Sequence, residues 1–225
     1  MKSLLAAAVV GFSSITPVLA ADPPELKEYR SWDSMGCMLL QECTDDVVKI
    51  TTTEDLRERF PDVDYSHVEK EFDQIVYFLD ELGINVYLAP EKYFPPRNRG
   101  VYHTVSNHFY LNDDYMHSPT QLIQVVRHEG WHAVQDCMAG SLDNTQMAIV
   151  FNEEEIPTYW RDLAERTYVL RPGVLPWEQE AMWAGNTKDV TVKGLEACAS
   201  PTPIWEVYEP TPMTREWLVD KGYIK

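Results

Sequence analysis

The sequence QLIQVVRHEGWHAVQDC, residues 121–137, decides how the rest of the chain is interpreted. Within it, His128, Glu129 and His132 have the spacing H-E-x-x-H. Residues four apart lie on the same face of an α-helix, so both imidazoles can reach one point in space. Glu129 lies beside that point, where a general base for a metal-activated water belongs. The motif therefore predicts a catalytic zinc site on a helix.

Local signals around the motif predict where this helix begins and ends. Ser118 can cap it, Pro119 suits the first helical position, and Gln121 can complete a capping box. We expect the helix to run to about Cys137 and to end before Gly140. These bounds place the motif in the interior of a helix.

The third zinc ligand is not expected to be a histidine. A catalytic zinc site usually has three protein ligands and one open position for water. The chain does not continue as H-E-x-x-H-x-x-G-x-x-H, because Gln135 and Met138 occupy the last two motif positions. No histidine follows His132 in the sequence. A carboxylate is therefore expected, which gives a ligand set of two histidines and one glutamate.

Two downstream segments offer that carboxylate. The segment EQEA begins at Glu178, near the start of a predicted helix. Ala181 and Ala184 are small enough to let that helix approach the motif helix closely. The segment NEEE, residues 152–155, is nearer in sequence, but glutamates at a helix start are also favoured by the helix dipole alone. The residue pattern by itself leaves both segments open.

At these positions the chain resembles the gluzincin-type H-E-x-x-H metallopeptidases. The resemblance covers residues 101–184 and rests on HEGWH together with EQEAMWA. In that family the third ligand is the first glutamate of an E-x-x-A segment, which implies Glu178, with Glu180 as the nearer alternative and Glu153 as the farther one. Met182 departs from the Asp or Asn that often follows the alanine. The resemblance also implies a zincin-like core.

The segment VYHTVSNHFYL, residues 101–111, has the pattern of a β-hairpin and precedes the motif helix. In the family a strand at this place forms the edge of the cleft and pairs with an extended peptide. His103 and His108 lie in this hairpin and could face the site. Asp136 follows His132 by four residues and could orient a metal ligand.

Four cysteines predict two disulfides rather than a second metal site. They are Cys37, Cys43, Cys137 and Cys198, and they form no C-x-x-C pair. The segment CMLLQECTDDVVKI, residues 37–50, has the pattern of a hairpin around Thr-Asp-Asp. If its first half is extended, Cys37 and Cys43 lie about 20 Å apart and cannot pair with each other.

The first twenty residues predict a signal peptide. Lys2 precedes an apolar stretch and small residues, with Val18 and Ala20 at the positions that a signal peptidase reads. Cleavage near Ala20 leaves residues 21–225, which we expect to form a single zincin-like metallopeptidase domain that is secreted or periplasmic. No later segment approaches the roughly 20 apolar residues that a transmembrane helix needs.

The composition is strongly acidic, with 36 Asp and Glu against 19 Lys and Arg and a formal net charge of −17. Such a surface repels nucleic acid and anionic lipid, so neither is expected as a partner. The expected partner is a peptide or protein substrate.

The remaining patterns predict an α+β fold with a small antiparallel sheet, the motif helix and a helical C-terminal half. Residues 64–83 carry an apolar stripe at helical spacing that ends at Gly83. Residues 84–89 read as a strand and residues 175–185 as a short helix.

Together these features predict an exported zinc-dependent metallopeptidase. His128, His132 and Glu178 are expected to hold Zn²⁺, and Glu129 is expected to act as general base for a zinc-activated water. The alternative is a non-catalytic exported zinc-binding protein that uses the same helix as a structural site or binding scaffold. The sequence identifies neither the substrate nor the residue that stabilises the oxyanion.

Overall fold

The computed structural model describes residues 32–143 and 145–202, and residues 219, 220, 222 and 225 near the carboxyl terminus. The predicted signal peptide, residues 1–20, lies outside the described residues. The main elements in chain order are α1 (Trp32–Leu39), β1 (Val48–Ile50), α2 (Thr53–Arg59), α3 (Glu69–Glu81), β2 (Asn85–Ala89), β3 (Gly100–His103), β4 (His108–Asn112), α4 (Asp113–Met116), α5 (Pro119–Met138), α6 (Thr158–Thr167), α7 (Leu175–Gly185) and α8 (Val190–Cys198). The chain is therefore a mixed α/β protein whose described elements after β4 are all helical.

The four strands form one sheet in the order β1-β2-β4-β3. The predicted hairpin is present as β3 and β4, which pair antiparallel. The prediction of an antiparallel sheet is wrong, because β2 pairs with β4 in parallel. The cause is the loop between β2 and β3, which carries the chain past the sheet, so that β4 returns beside β2 and leaves β3 at the edge.

Alternating side chains of the strands enter two different clusters on the two faces of the sheet. The larger cluster includes Phe109 and Leu111 of β4 together with apolar residues of α3 and α5. The smaller one includes Tyr110 of β4 and buried residues of α1. The predicted stripe of α3 is buried at all five positions, which are Val68, Phe72, Ile75, Val76 and Leu79. The sheet and α3 therefore form the support on which α5 lies.

Helix α5 begins and ends close to the predicted residues. Ser118 is its N-cap residue and Pro119 its first residue, and the helix ends at Met138. The predicted capping box is absent, because the Ser118 side chain makes no cap hydrogen bond and Gln121 Oε1 has no hydrogen-bond partner among the described residues. The start of the helix is therefore defined by the fixed φ of Pro119 and by the packing of the helix.

The prediction of a hairpin at residues 37–50 is wrong. Its first half belongs to α1, and its second half contains β1, which pairs with β2. A helix advances about 1.5 Å per residue against about 3.3 Å for a strand, so the two cysteines of this segment come within reach of each other. Cys37 and Cys43 form a disulfide with a Cα–Cα distance of 5.6 Å.

A second disulfide joins Cys137 in the last turn of α5 to Cys198 at the end of α8. Helix α8 has no clear sequence signal, because it opens with β-branched residues and contains Gly194. A Cβ at Gly194 would lie 2.8 Å from a methyl group of Val134, so the glycine is what allows α8 to lie against α5. Two disulfides are typical of proteins in an oxidising compartment.

Among the described helices, none is both long enough and apolar enough to cross a lipid bilayer.

Candidate metal centre

Helices α5 and α7 bring together the three residues predicted as metal ligands. His128 and His132 lie one turn apart on α5, and their ring centroids are 4.9 Å apart. Glu178 lies in the first turn of α7. Its Oε2 is 3.4 Å from His128 Nε2 and 3.6 Å from His132 Nε2. Within the described residues, these three side chains form a group that could hold a metal ion, with ligand atoms within 4.8 Å of one another.

Small residues on α7 allow this approach. Ala181 and Ala184 are completely buried, as expected from their size in the EQEA segment. Gly185 lies still closer to α5, since a Cβ at that position would be 3.1 Å from His128 Cβ and 3.1 Å from the carbonyl oxygen of Gln124. A larger side chain at Gly185 would therefore push α7 away from the first histidine.

The distances from Glu178 Oε2 to the two histidine nitrogens, 3.4 and 3.6 Å, fit a tetrahedral metal ion. Ligand atoms that stand about 2.0–2.1 Å from a zinc ion at tetrahedral angles lie about 3.4 Å from one another. His132 Nε2 and both oxygens of Glu178 are buried and have no hydrogen-bond partner among the described residues. Buried polar atoms without partners are costly, and a cation between them would remove that cost. The metal identity is not determined by this geometry.

The charges in the group are strongly coupled. Burial acts to raise the pKa of Glu178, but the imidazoles of His132 and His128 lower it to about 2. Burial acts to lower the pKa of His132, but the carboxylate of Glu178 raises it to about 9. The fully buried carboxylate is therefore held in its ionised form, which is the form that binds a metal.

The two alternative carboxylates do not join the group. Glu180 is completely buried and accepts hydrogen bonds from Trp131 Nε1, Gln135 Nε2 and the backbone N–H groups of Val150 and Phe151. Glu153 is exposed on the surface near Arg161, at an N–O distance of 3.4 Å. Of the three candidates, Glu178 is the one whose oxygen lies near both histidines.

Gln135 links Glu180 to the metal group. The Gln135 side chain donates from Nε2 to Glu180 at 2.8 Å, which turns its Oε1 toward His132. That oxygen lies 2.8 Å from His132 Nδ1 and accepts its hydrogen. The arrangement fixes the imidazole so that Nε2 faces Glu178 and is the nitrogen available to a metal. Sequence reasoning missed this role, because Gln135 was considered only as a departure from a longer histidine motif.

Glu129 lies between the metal group and the edge of the sheet. Its Oε2 accepts a hydrogen bond of 3.0 Å from the backbone N–H of Tyr102 on β3. Gly100 leaves space for this contact, since a Cβ there would be 3.2 Å from Glu129 Cγ. Burial raises the pKa of Glu129, while the nearby histidines act in the opposite direction. The carboxyl group is thus held in one orientation with a pKa above its usual value.

A cleft of about 500 Å³ opens beside His128 and Glu129. One wall is the chain that enters β3, and the other consists of residues from α6 and its end, namely Tyr159, Trp160, Leu163, Thr167 and Tyr168. Burial raises the pKa of Tyr168 well above its usual value, and the charges of Glu178 and Glu129 raise it further. Tyr168 is therefore a buried, protonated phenol close to both carboxylates. No local pattern distinguished it from the other tyrosines of the sequence.

The remaining residues considered from the sequence have other contacts. His103 Nδ1 bonds with Ser106 Oγ at 2.7 Å, and His108 Nδ1 lies 3.2 Å from the Tyr110 hydroxyl. Asp136 is completely buried and accepts a hydrogen bond of 2.7 Å from the Tyr102 hydroxyl. Burial raises the pKa of Asp136 to about 7. Asp136 therefore anchors β3 to α5, and the contact with His132 is made by Gln135 instead.

Comparison of the chain with protein-family models, with curated proteins and with solved structures found no match in any of the three. The interpretation of the site therefore rests on its own geometry and chemistry.

Proposed function

We propose that this protein is an exported zinc-dependent metallopeptidase with a zincin-like core. The observation that carries the proposal is the convergence of His128, His132 and Glu178 beside Glu129, with His128 and Glu129 lining an open cleft. Two imidazoles and one carboxylate are a donor set typical of catalytic zinc. The two histidines and the base lie within five consecutive residues of α5, which agrees with the mechanism expected of an H-E-x-x-H motif.

His128, His132 and Glu178 would hold zinc, which would supply a Lewis acid and lower the pKa of water to about 7. Glu129 accepts the proton of the attacking water and later transfers it to the leaving amine. The hydrogen bond from Tyr102 to Oε2 holds the carboxyl group in place, so Oε1 is the atom assigned to the proton. Burial raises the pKa of Glu129 above its usual value, which favours acceptance of a proton.

Tyr168 is the residue proposed to stabilise the oxyanion. It lies on the cleft wall opposite β3 and is 5% exposed. Since its pKa is raised, the phenol keeps its hydrogen, which it would turn from the nearby Glu178 carboxylate to the oxygen of a carbonyl under attack. Replacement by phenylalanine is expected to lower kcat by about 10²–10³-fold with little change in metal content.

The edge strand β3 is proposed to bind the peptide backbone. It pairs with β4 on one side only, and it borders the cleft through Gly100. An extended peptide can add to such an edge through main-chain hydrogen bonds, which tolerate many side chains. The location of β3 beside Glu129 would bring the scissile bond to the base.

The alternative is a structural metal site in a non-catalytic protein. Structural zinc sites are usually closed by four protein ligands, whereas catalytic sites keep one position open. Here the described residues supply three ligands, and the cleft reaches His128 and Glu129. The open coordination position therefore favours a catalytic metal site over a structural one.

Replacement of Glu129 by glutamine tests the proposal. The variant is expected to keep about one zinc per chain and to lose peptide hydrolysis by at least about 10³-fold, because Glu129 contacts the reacting water and not the metal. Zinc content is measured by atomic emission, and hydrolysis is followed by mass spectrometry on a denatured-protein digest. Glu58→Gln, an exposed change on α2, is the matched control. Equal hydrolysis by Glu129→Gln and the unmodified protein would refute the peptidase.

A further inference from the structure

The cleft differs in charge from the rest of the protein. The chain has a formal net charge of −17. Among the described residues that line the cleft, two are arginines, Arg97 and Arg99, and the one carboxylate is the buried Glu129. Both arginines are exposed at the start of the edge strand. The entrance of the cleft is therefore a locally cationic region on an acidic protein, which attracts anionic groups into the cleft.

Asn98, between the two arginines, is buried and incompletely hydrogen-bonded. It is 1% exposed and lines the same cleft. Its Oδ1 accepts a hydrogen bond of 3.3 Å from the Gly100 N–H, and its carbonyl oxygen accepts one of 2.8 Å from Asn112 Nδ2. These contacts fix the amide, yet Nδ2 has no hydrogen-bond partner among the described residues. A buried N–H donor without a partner costs about 1–3 kcal/mol and requires an explanation.

The local backbone supports the display of these three side chains. Arg97 has a φ of +71°, a left-handed conformation that a non-glycine residue adopts only when its surroundings enforce it. Asn98 N–H donates to the Pro95 carbonyl at 3.0 Å, which closes the turn. Arg99 lies over the ring of Tyr115, with its Cζ 5.5 Å from the centroid. The turn is thus held by contacts of Asn98 with Pro95 and of Arg99 with Tyr115, and both arginines line the cleft.

We propose that Arg97, Asn98 and Arg99 form a subsite that binds a carboxylate of the substrate. The amide Nδ2 donates one hydrogen bond to a carboxylate oxygen, and the guanidinium groups supply the charge and further donors. The inference rests on the proposed peptidase function and names its preferred substrates as acidic peptides. The carboxylate comes either from an aspartate or glutamate side chain or from the free C-terminus of a short peptide.

The short chain between Asn98 and β3 places this subsite near the bond that is cleaved. Gly100 lies beside Glu129, since a Cβ there would be 3.2 Å from Glu129 Cγ, and Asn98 precedes Gly100 by two residues. Two residues of chain span at most about 7 Å, so the subsite lies within about 7 Å of Gly100. A peptide paired with β3 would bring a carboxylate there from one or two residues away from the scissile bond.

Binding to a catalytically inactive protein tests the subsite without hydrolysis. Zinc-loaded Glu129→Gln protein is titrated calorimetrically with four acetylated hexapeptides that differ only in Glu or Gln at one position and in a free or amidated C-terminus. A peptide with the preferred carboxylate is expected to bind at least tenfold more tightly than the peptide without any carboxylate. Comparison of the two singly charged peptides identifies the source of the carboxylate. The preference is expected to weaken as salt is raised.

Two sets of variants assign the preference to the subsite. Asn98→Asp keeps an acceptor for Gly100 but replaces the free donor with a repelling oxygen. The double change Arg97→Ala with Arg99→Ala removes both exposed charges, with loss of the contact between Arg99 and Tyr115. Each is expected to reduce the preference to twofold or less. Arg59→Ala, which removes an exposed arginine paired with Asp113 outside the cleft lining, is expected to keep it.

The outcomes separate the subsite from the peptidase. Equal binding of the four peptides, no binding of any, or a preference that survives both sets of variants would overturn the subsite. A preference that depends on Arg97, Asn98 and Arg99 supports it, even if the unmodified protein cleaves none of the peptides. In that last case the proposed peptidase function fails and the carboxylate subsite stands.

Discussion

Glu178 and Glu180 lie two residues apart on α7, and both are completely buried. Glu180 accepts four hydrogen bonds, from two side chains and two backbone N–H groups. Glu178 has no hydrogen-bond partner for either oxygen among the described residues and faces two imidazoles. Burial raises the pKa of Glu180 to about 7 against the effect of its four donors, whereas the imidazoles lower the pKa of Glu178 to about 2.

The difference shows how a buried carboxylate can be assigned a role. Burial of a charged group is costly unless it is paired or hydrogen-bonded. Glu180 meets this condition with protein donors alone, and those donors hold the 147–151 loop and Gln135 in place. Glu178 meets it only in part, so its remaining capacity is available to a cation. The same residue type therefore has a structural role at one position and a metal-binding role at the other.

The largest expected effect comes from Glu178→Gln. Binding of structural zinc is worth about 10–16 kcal/mol over four ligands, so loss of one ligand is expected to weaken zinc binding by roughly 10³-fold. The metal-free variant is expected to keep its stability within about 1 kcal/mol, since the imidazole of His132 can lose its proton once the carboxylate is gone. Competition with a chelator measures the affinity, and urea unfolding the stability. Unchanged zinc affinity would contradict the assignment of Glu178.

The parts of the site that could be predicted from sequence are local. His128, Glu129 and His132 share one helix, so their spacing alone placed them together. Glu178 required the resemblance to a family, because its distance from the histidines depends on how α7 packs. Gln135 and Tyr168 were missed, since their roles arise from contacts with residues that are distant in sequence.

The elements of the fold, too, could be predicted from the sequence only where they depend on local patterns. The hairpin β3–β4 and helices α3, α5 and α7 follow from local periodicity. The parallel pairing of β2 with β4 does not, because it depends on the path of a long loop. Helix α8 has weak intrinsic propensity and is held by Cys198 and by the close approach at Gly194. Tertiary contacts therefore determine the conformation of those segments whose local conformational preference is weak.

Glu180→Ala is expected to have the opposite effect to Glu178→Gln. Four donors would lose their acceptor, at about 1–3 kcal/mol for each donor that stays buried, so the free energy of unfolding should fall by about 3–5 kcal/mol. Urea unfolding of the metal-free protein measures the loss. Glu180→Gln, which keeps the volume and one acceptor oxygen, should cost less. The comparison would break down if Glu180→Ala were as stable as the unmodified protein.

Gln135→Leu tests the link between the two carboxylates. The variant keeps most of the side-chain volume but removes the acceptor that orients His132. Loss of such a supporting contact typically weakens metal binding by about 10–100-fold. The measurement is zinc affinity together with the visible spectrum of the cobalt-substituted protein, which reports ligand geometry. An unchanged spectrum and affinity would show that His132 is oriented without Gln135.

The smallest expected effect concerns Glu71, another buried carboxylate, on α3. It bonds with Arg127 Nε at 2.8 Å and with Arg127 Nη2, and it accepts the Asp189 N–H at 2.9 Å. Burial acts to raise the pKa of Glu71, but these donors lower it below the usual value. Since the folded pKa is depressed, the stabilisation is present above the unfolded pKa of about 4.3 and is lost as pH falls through the folded pKa.

Ionised Glu71 contributes about 1.4 kcal/mol to the free energy of unfolding for each unit by which its folded pKa lies below its unfolded pKa. Glu71→Gln is less stable at every pH because Arg127 loses its partner, so the informative quantity is the slope of unfolding free energy against pH. Between pH 5 and pH 3 the unmodified protein should lose more stability than the variant. Parallel slopes would mean that Glu71 keeps an ordinary pKa in the folded state, so that its hydrogen bonds only offset the effect of burial.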